Sequence, residues 1–122
     1  MLYVGRGIHA KTMKKFDMCL AYGFYADCFL VQERFANNNA LCLSVWNEED
    51  GPICTVNVNT DGVPEGAIAV KTWSENEGIE KALRAIGLIG PVPVGYAMFA
   101  CDAPIYLIDE DVLAEYSMQM AV

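Results

Sequence analysis

Turn signals recur at short intervals along the first half of this chain. Gly23, Asp50–Gly51 and Asp61–Gly62 each separate two runs that are rich in aliphatic and aromatic residues. Asp-Gly pairs are typical of tight hairpin turns, because both residues tolerate positive φ angles. Parallel strands need long crossover connections, and the turns at these three positions are too short to provide one. The spacing therefore predicts antiparallel strands in sequential order, which is a β-meander.

The alternation of apolar residues supports the same prediction. Phe16, Met18, Leu20 and Tyr22 fall on one face of their segment, which is typical of a strand with one side buried. Other segments have the aromatic and β-branched composition of strands, at 24–33, 40–46, 53–58, 67–72, 94–101 and 103–108. Together the segments predict a meander of about six strands.

One helix is predicted between Ser74 and Gly87. Ser74 and Glu77 have the spacing of a capping box. Gly87 is expected to end the helix in a left-handed conformation, with Leu88 folded back onto Leu83 in a Schellman motif. The buried stripe of this helix is predicted to consist of Ile79, Ala82, Leu83 and Ile86.

The length and composition of the chain predict a single domain with its own core. The chain has 122 residues, of which 54% are hydrophobic, and this is enough to bury a core without disulfides or metals. Residues 1–12 are predicted to be an N-terminal extension or an extra edge strand, and residues 13–122 a single α+β domain. The predicted fold is an antiparallel β-meander with one packed helix and a short C-terminal helix, whose acidic first turn suits the helix dipole.

Charge is distributed unevenly along the sequence. Residues 1–16 contain four basic residues and no acid, whereas the rest of the chain has 16 acids against four bases, so that the formal net charge is −8. A body this acidic repels phosphate backbones, and direct nucleic-acid binding is therefore not expected. A protein partner with a basic surface is the natural complement.

One stretch is similar to the first half of a calcium-binding loop. Asn57, Asn59 and Asp61 place oxygen atoms at alternate positions, and Gly62 follows them. An EF-hand loop needs a glutamate at its twelfth position, where this chain has Ile68. A strand that runs into a tight turn is the better interpretation, and no metal or cofactor is predicted.

The cysteines and the single histidine give little support to catalysis. The five cysteines include no C-x-x-C pair, and an odd number favours reduced thiols in a cytoplasmic protein. Buried thiols are the expected arrangement. His9 lies in the predicted extension, so a Cys–His catalytic pair is weakly supported. A small-ligand binder or thiol-dependent enzyme remains one alternative function.

The apolar stretch from residue 85 to residue 101 is not predicted to span a membrane. It contains no charged residue, but glycines and prolines interrupt it, and prolines disrupt a helix interior. A loop that leads into a buried strand is expected instead. Homo-oligomerisation through an exposed strand edge or through this apolar third of the chain is a further alternative function.

Acidic turns and tryptophans supply the candidate interaction residues. Acids in turns are usually solvated and tryptophans usually pack in the core, but an exposed tryptophan beside acidic loops would mark an interface. The leading hypothesis is a non-enzymatic protein-binding module, in a sharper form an acidic decoy that imitates DNA phosphates. The candidate residues are Trp46, Glu48, Glu49, Asp50, Trp73, Asp109, Glu110 and Asp111.

Short motifs from Met13 onward occur in a recognisable order. They are MKKFDM at Met13, EEDGP at Glu48 followed by TVNV, PEG at Pro64, GLIGP after the predicted helix, GYAMF at Gly95 and PIYLID at Pro104. This order resembles a family of small bacterial proteins of unknown function that conjugative and other mobile elements often carry. The resemblance implies a bacterial cytoplasm and accessory genes of mobile DNA. It implies no activity and no functional residues, and residues 1–12 depart from it.

Overall fold

The computed structural model describes residues 13–98 and 102–120. Within them the chain forms strands β1 (Phe16–Leu20), β2 (Gly23–Arg34), β3 (Leu41–Asn47), β4 (Gly51–Thr55), β5 (Asn57–Val58), β6 (Ala67–Val70), β7 (Gly95–Met98), β8 (Asp102–Leu107) and β9 (Ser117–Gln119). The helices are α1 (Ile79–Ala85) and α2 (Glu110–Tyr116), and a 3-10 turn covers Ser74–Asn76. The predicted extension, residues 1–12, lies outside the described residues.

The α+β class is confirmed, but the single meander is corrected. Strands β1 to β4 follow one another in the first sheet, whereas the second sheet has the order β5-β6-β8-β7. Segment 53–58, predicted as one strand, divides at Val56, where the chain passes from the first sheet to the second. The C-terminal helix was predicted to include Ser117 and Met118, but α2 ends at Tyr116, and these residues form strand β9, which pairs parallel with β2.

Strand β2 organises the first sheet because it is 12 residues long. Its first half pairs with β1 and its second half with β9, so that β1 and β9 lie end to end along one edge. Strand β3 pairs along the other edge. The Lys14 N–H donates to Glu115 O at 2.9 Å and joins the start of β1 to the end of α2.

The main core lies between the two sheets and α1. The predicted alternation is confirmed at Phe16, Met18 and Leu20, which are all buried. The prediction is wrong for Tyr22, which lies in the turn after β1 and is exposed. The three buried side chains pack with residues of β2, β3, β6 and α1 that include Leu30, Leu43, Val45, Ile68, Ile79 and Leu83. The opposite face of the second sheet carries the small side chains of Ala67, Ala69, Ala97 and Ala103. Val63 and Trp73 cover part of this face.

Helix α1 begins later than predicted, and the capping box is wrong. Ser74 has a φ of +60° and begins a 3-10 turn that ends at Asn76, and the residue that precedes α1 is Gly78. The buried Asn76 explains the difference. Its Nδ2 donates to Thr55 O at 2.7 Å and to Lys71 O at 3.0 Å, which holds the segment in a tight turn instead of a helix.

The predicted end of α1 is confirmed in detail. Gly87 has a φ of +84°. The Leu88 N–H donates to Leu83 O at 3.0 Å and the Gly87 N–H to Arg84 O at 3.0 Å, the two bonds of a Schellman motif.

Arg84 also donates from Nη2 to the Tyr106 hydroxyl at 3.1 Å, and that hydroxyl donates to Glu80. Tyr106 therefore ties α1 to the second sheet. No helix of the described segments is long and apolar enough to cross a membrane.

Gly78 is expected to be essential for the packing of α1 on β1. A Cβ atom at Gly78 would lie 2.6 Å from Cys19 O, and the φ of Gly78 is +101°. The Gly78→Ala variant should lose about 2–4 kcal/mol of unfolding free energy, because a backbone clash and a left-handed conformation both oppose the new side chain.

Gly90→Ala provides the matched control, since a Cβ atom there meets nothing within 4 Å. Its unfolding free energy should change by less than about 1 kcal/mol. Urea unfolding of both variants measures the difference, and equal midpoints would contradict the described contact between α1 and β1.

Candidate binding surfaces

The turn between β3 and β4 places three acidic side chains at one end of the first sheet. Glu48, Glu49 and Asp50 are all exposed. The buried Asn47 shapes this turn: its Oδ1 accepts from the Asp50 N–H at 2.6 Å, and its Nδ2 donates to Asp50 Oδ2 at 3.2 Å. Gly51 follows with a φ of +75°. The predicted Asp-Gly turn is therefore confirmed, and Asn47 is the residue that fixes its shape.

Two further carboxylates lie beside this turn. The β1–β2 ladder contains a bulge, where Asp27 has a φ of +55° and its N–H donates to Asp17 Oδ1 at 3.0 Å. Asn47 Nδ2 also donates to Ala26 O at 3.3 Å and so joins the bulge to the turn. We name the resulting surface the acidic end, which consists of Asp17, Asp27, Glu48, Glu49 and Asp50.

The buried thiol of Cys28 responds to the negative charge of the acidic end. Burial makes the largest contribution, followed by the charges of Asp17, Asp27 and Asp50, and together they raise the pKa of Cys28 from 9.0 to about 11. The ion pairs among the described residues lie elsewhere, at Lys14–Glu115 and Lys71–Glu75. The carboxylates of the acidic end are therefore not neutralised by ion pairs within the described part of the chain.

Two exposed aromatic side chains lie on the same hairpin as Asp17 and Asp27. Tyr22 is 78% exposed and Phe24 is 63% exposed. Both belong to the β1–β2 hairpin, and Phe24 precedes the Asp27 bulge by three residues, about 10 Å along an extended strand. Tyr22 was predicted to lie on the buried face of the first strand, but β1 ends at Leu20 and Tyr22 lies in the turn that follows. Phe24 was not predicted as a binding residue, because the pattern along β2 does not reveal which of its faces is covered.

The predicted tryptophans are only partly exposed. Trp46 Nε1 donates to Ser44 Oγ at 2.9 Å, and Trp46 lies opposite Phe29 in the β2–β3 ladder. Trp73 packs against the alanine-rich face of the second sheet. Packing therefore accounts for part of the surface of each tryptophan, while Trp46 stands next to Asn47 at the base of the acidic turn.

The second predicted acidic triplet lies at the start of α2. Asp109 caps this helix, since its Oδ1 accepts from the Asp111 N–H at 3.0 Å and from the Val112 N–H at 3.1 Å. Glu110 lines a cleft that Leu41 also lines. Strand β3 leads from Leu41 to the acidic end over about 20 Å. The structure therefore does not bring the two predicted triplets together.

Burial disfavours the reactivity of two further thiols, and the calcium-like stretch is not part of a metal-binding cluster of the described residues. Burial is the main cause that raises the pKa of Cys54 to about 12 and the pKa of Cys42 above its usual value, which disfavours the reactive thiolate. No three His, Cys, Asp or Glu side chains in the described segments are placed to hold a metal ion. His9 and Cys101 lie outside those segments.

Comparison of the chain with family models, with curated proteins and with solved structures found no match. The resemblance drawn from the sequence motifs therefore stays a prediction.

The raised thiol pKa values predict a specific loss of stability at alkaline pH. A thiol whose folded-state pKa exceeds its unfolded-state value stabilises the fold below the unfolded-state pKa, and this stabilisation disappears as the pH rises through the folded-state pKa. For Cys54 the interval runs from 9.0 to about 12.

The free energy of unfolding should therefore fall between those pH values, and the fall should be smaller in Cys54→Val. Cys19→Ser is the control, because Cys19 is exposed. Urea unfolding at pH 8, 9, 10 and 11 measures both variants against the wild type. Identical pH profiles for Cys54→Val and the wild type would contradict the burial of this thiol.

Proposed function

We propose that this chain is a non-enzymatic binding protein whose acidic end docks onto the basic surface of a partner protein. The observation that carries the proposal is that one hairpin presents the exposed aromatics Tyr22 and Phe24 together with Asp17 and Asp27, carboxylates that no ion pair of the described residues neutralises. Protein interfaces are enriched in aromatic residues, and a few such anchors within a polar rim supply most of the binding energy.

The carboxylates contribute in two ways. Asp17 and Asp50 are held by hydrogen bonds to the bulge and the turn, so their positions are fixed before a partner arrives. Glu48 and Glu49 are exposed at the tip of the turn. Clustered charge of one sign accelerates the encounter with an oppositely charged partner and makes binding sensitive to salt.

A narrower form of the proposal is that the partner itself binds nucleic acid, and that the acidic end occupies its phosphate-binding site. The net charge of −8 supports this form. The resemblance to proteins of bacterial mobile elements also supports it, and the same resemblance implies a cytoplasmic location. The thiol-dependent alternative is less favoured, because a raised pKa keeps a thiol protonated.

Removing three charges from the acidic end should weaken capture of the partner. The variant Asp27→Asn/Glu48→Gln/Glu49→Gln removes three charges and leaves the hydrogen-bonded Asp17 and Asp50 in place. Asn at position 27 tolerates the left-handed conformation found there. We expect binding about tenfold weaker, since exposed ion pairs contribute about 0.2–1 kcal/mol each. Capture from a lysate of the source organism on the immobilised chain, quantified by mass spectrometry, measures the loss.

The control removes the same charge from other exposed positions, in Glu33→Gln/Glu77→Gln/Asp102→Asn. This variant should retain the partner and its salt dependence. A second variant, Tyr22→Ala/Phe24→Ala, should lose the partner without a change in net charge. Equal capture by the acidic-end variant and the control would refute the proposal. Displacement of the captured partner by duplex DNA distinguishes the decoy form from other basic partners.

A further inference from the structure

A cleft opens between the two sheets at the end of β3 opposite the acidic end. It encloses about 520 Å³, within the range of about 300–1,000 Å³ that ligand sites occupy. One wall is the β2–β3 loop and the other is the β5–β6 loop, and the first turn of α2 closes one side. Residues from each of these elements line it, including Phe35, Asn39, Asp61, Glu65 and Glu110.

A chain of carboxamides holds the two walls of the cleft in place. Asn59 Nδ2 donates to Asn37 Oδ1 at 2.7 Å, and Asn38 Nδ2 donates to Asn59 Oδ1 at 3.0 Å. Asn38 Oδ1 in turn accepts from the Ala40 N–H at 3.0 Å. On the other side Thr60 Oγ1 donates to Met98 O at 3.3 Å. The cleft is therefore formed before a ligand arrives, which lowers the entropy that binding costs.

The lining combines apolar side chains with unpaired charges. Leu41, Val58, Ala67, Ile108 and Leu113 contribute the apolar part, and three of them are buried. The charged side chains that line the cleft are one guanidinium and three carboxylates, from Arg34, Asp61, Glu65 and Glu110. Neither ion pair of the described residues includes any of the four.

We infer that this cleft binds an extended peptide segment that carries a lysine or arginine side chain. A basic side chain has an aliphatic stem, which suits the apolar lining, and a cationic head, which suits the three carboxylates. An anionic ligand such as a phosphate would meet a net negative charge. The site goes beyond the proposed docking of the acidic end, because it lies about 20 Å away along β3 and is a cleft between two loops, whereas the acidic end is an exposed surface.

The remaining polar groups fit the backbone of such a segment. Arg34 carries five N–H donors, and the Asn39 carboxamide offers both a donor and an acceptor. No hydrogen bond between described residues uses the Arg34 guanidinium or the Asn39 side chain. Backbone carbonyl and N–H groups of an extended segment supply the complementary atoms, whereas a simple amine would leave both side chains without a ligand partner.

The test uses an acetylated and amidated Ala-Lys-Leu-Ala peptide and the same peptide with norleucine in place of lysine. Both are titrated into the full chain, and backbone amide shifts are followed by NMR. The lysine peptide should bind about tenfold more tightly than the norleucine peptide. Its affinity should fall as salt rises, and the shifted amides should cluster at Asn39, Gly62, Glu65 and Glu110. Equal affinity of the two peptides, or shifts confined to the acidic end, would overturn the inference.

A second experiment removes the negative charges that line the cleft. Asp61→Asn/Glu65→Gln/Glu110→Gln should weaken the lysine peptide about tenfold, while the norleucine peptide is unaffected. The variant Glu33→Gln/Glu77→Gln/Asp102→Asn loses the same charge and should bind like the wild type. n-Butylamine tests whether the peptide backbone is needed. If it binds as tightly as the lysine peptide, the ligand is a small amine and the proposed peptide ligand is wrong. None of these outcomes depends on a partner of the acidic end.

Discussion

The side chain of Asn57 continues a β-ladder that the backbone has left. Beyond Thr55 the chain departs from the first sheet, and the Asn57 backbone pairs with Val70 in the second. The Asn57 carboxamide nevertheless accepts from the Leu43 N–H at 2.9 Å and donates to Leu41 O at 3.0 Å. Asn57 is only 5% exposed, so losing these bonds would leave buried polar groups of β3 unsatisfied, at about 1–3 kcal/mol each. Asn57 therefore joins the two sheets together with the backbone of Val56, whose N–H donates to Leu43 O and whose O accepts from the Lys71 N–H, both at 2.8 Å.

The separation of the sheets determines where the binding surfaces lie. Asn57 itself lines the cleft, because the divergence of β4 and β5 at this point opens the space between the walls. At the far end of β3 the carboxamide of Asn47 likewise joins two segments, the acidic turn and the Asp27 bulge. Buried carboxamides thus position both surfaces from opposite ends of one strand. Such groups specify geometry more than they add stability, since their hydrogen bonds largely replace bonds to water.

Local features of the fold could be predicted from the sequence, and long-range ones could not. The alternation of Phe16, Met18 and Leu20 and the left-handed Gly87 depend on adjacent residues, so the pattern contains the information. The acidic end depends on Asp17 and Asp27, which meet Asp50 only through strand pairing. The cleft depends on Asn57 and Glu110, which are far apart in sequence. The predicted start of the helix at Ser74 was wrong because the tertiary hydrogen bonds of Asn76 outweigh the local capping signal.

Hydrogen exchange at the Leu43 amide in the wild-type chain tests the joining of the two sheets most directly. Its partner is the Asn57 side chain, whereas the Val56 N–H has a backbone partner, Leu43 O, at 2.8 Å. If the carboxamide joins the sheets, the Leu43 amide exchanges as slowly as the Val56 amide, because both open only when the sheets separate. Fast exchange at Leu43 beside slow exchange at Val56 would show that Asn57 does not bridge the sheets and that the cleft is not held open as described.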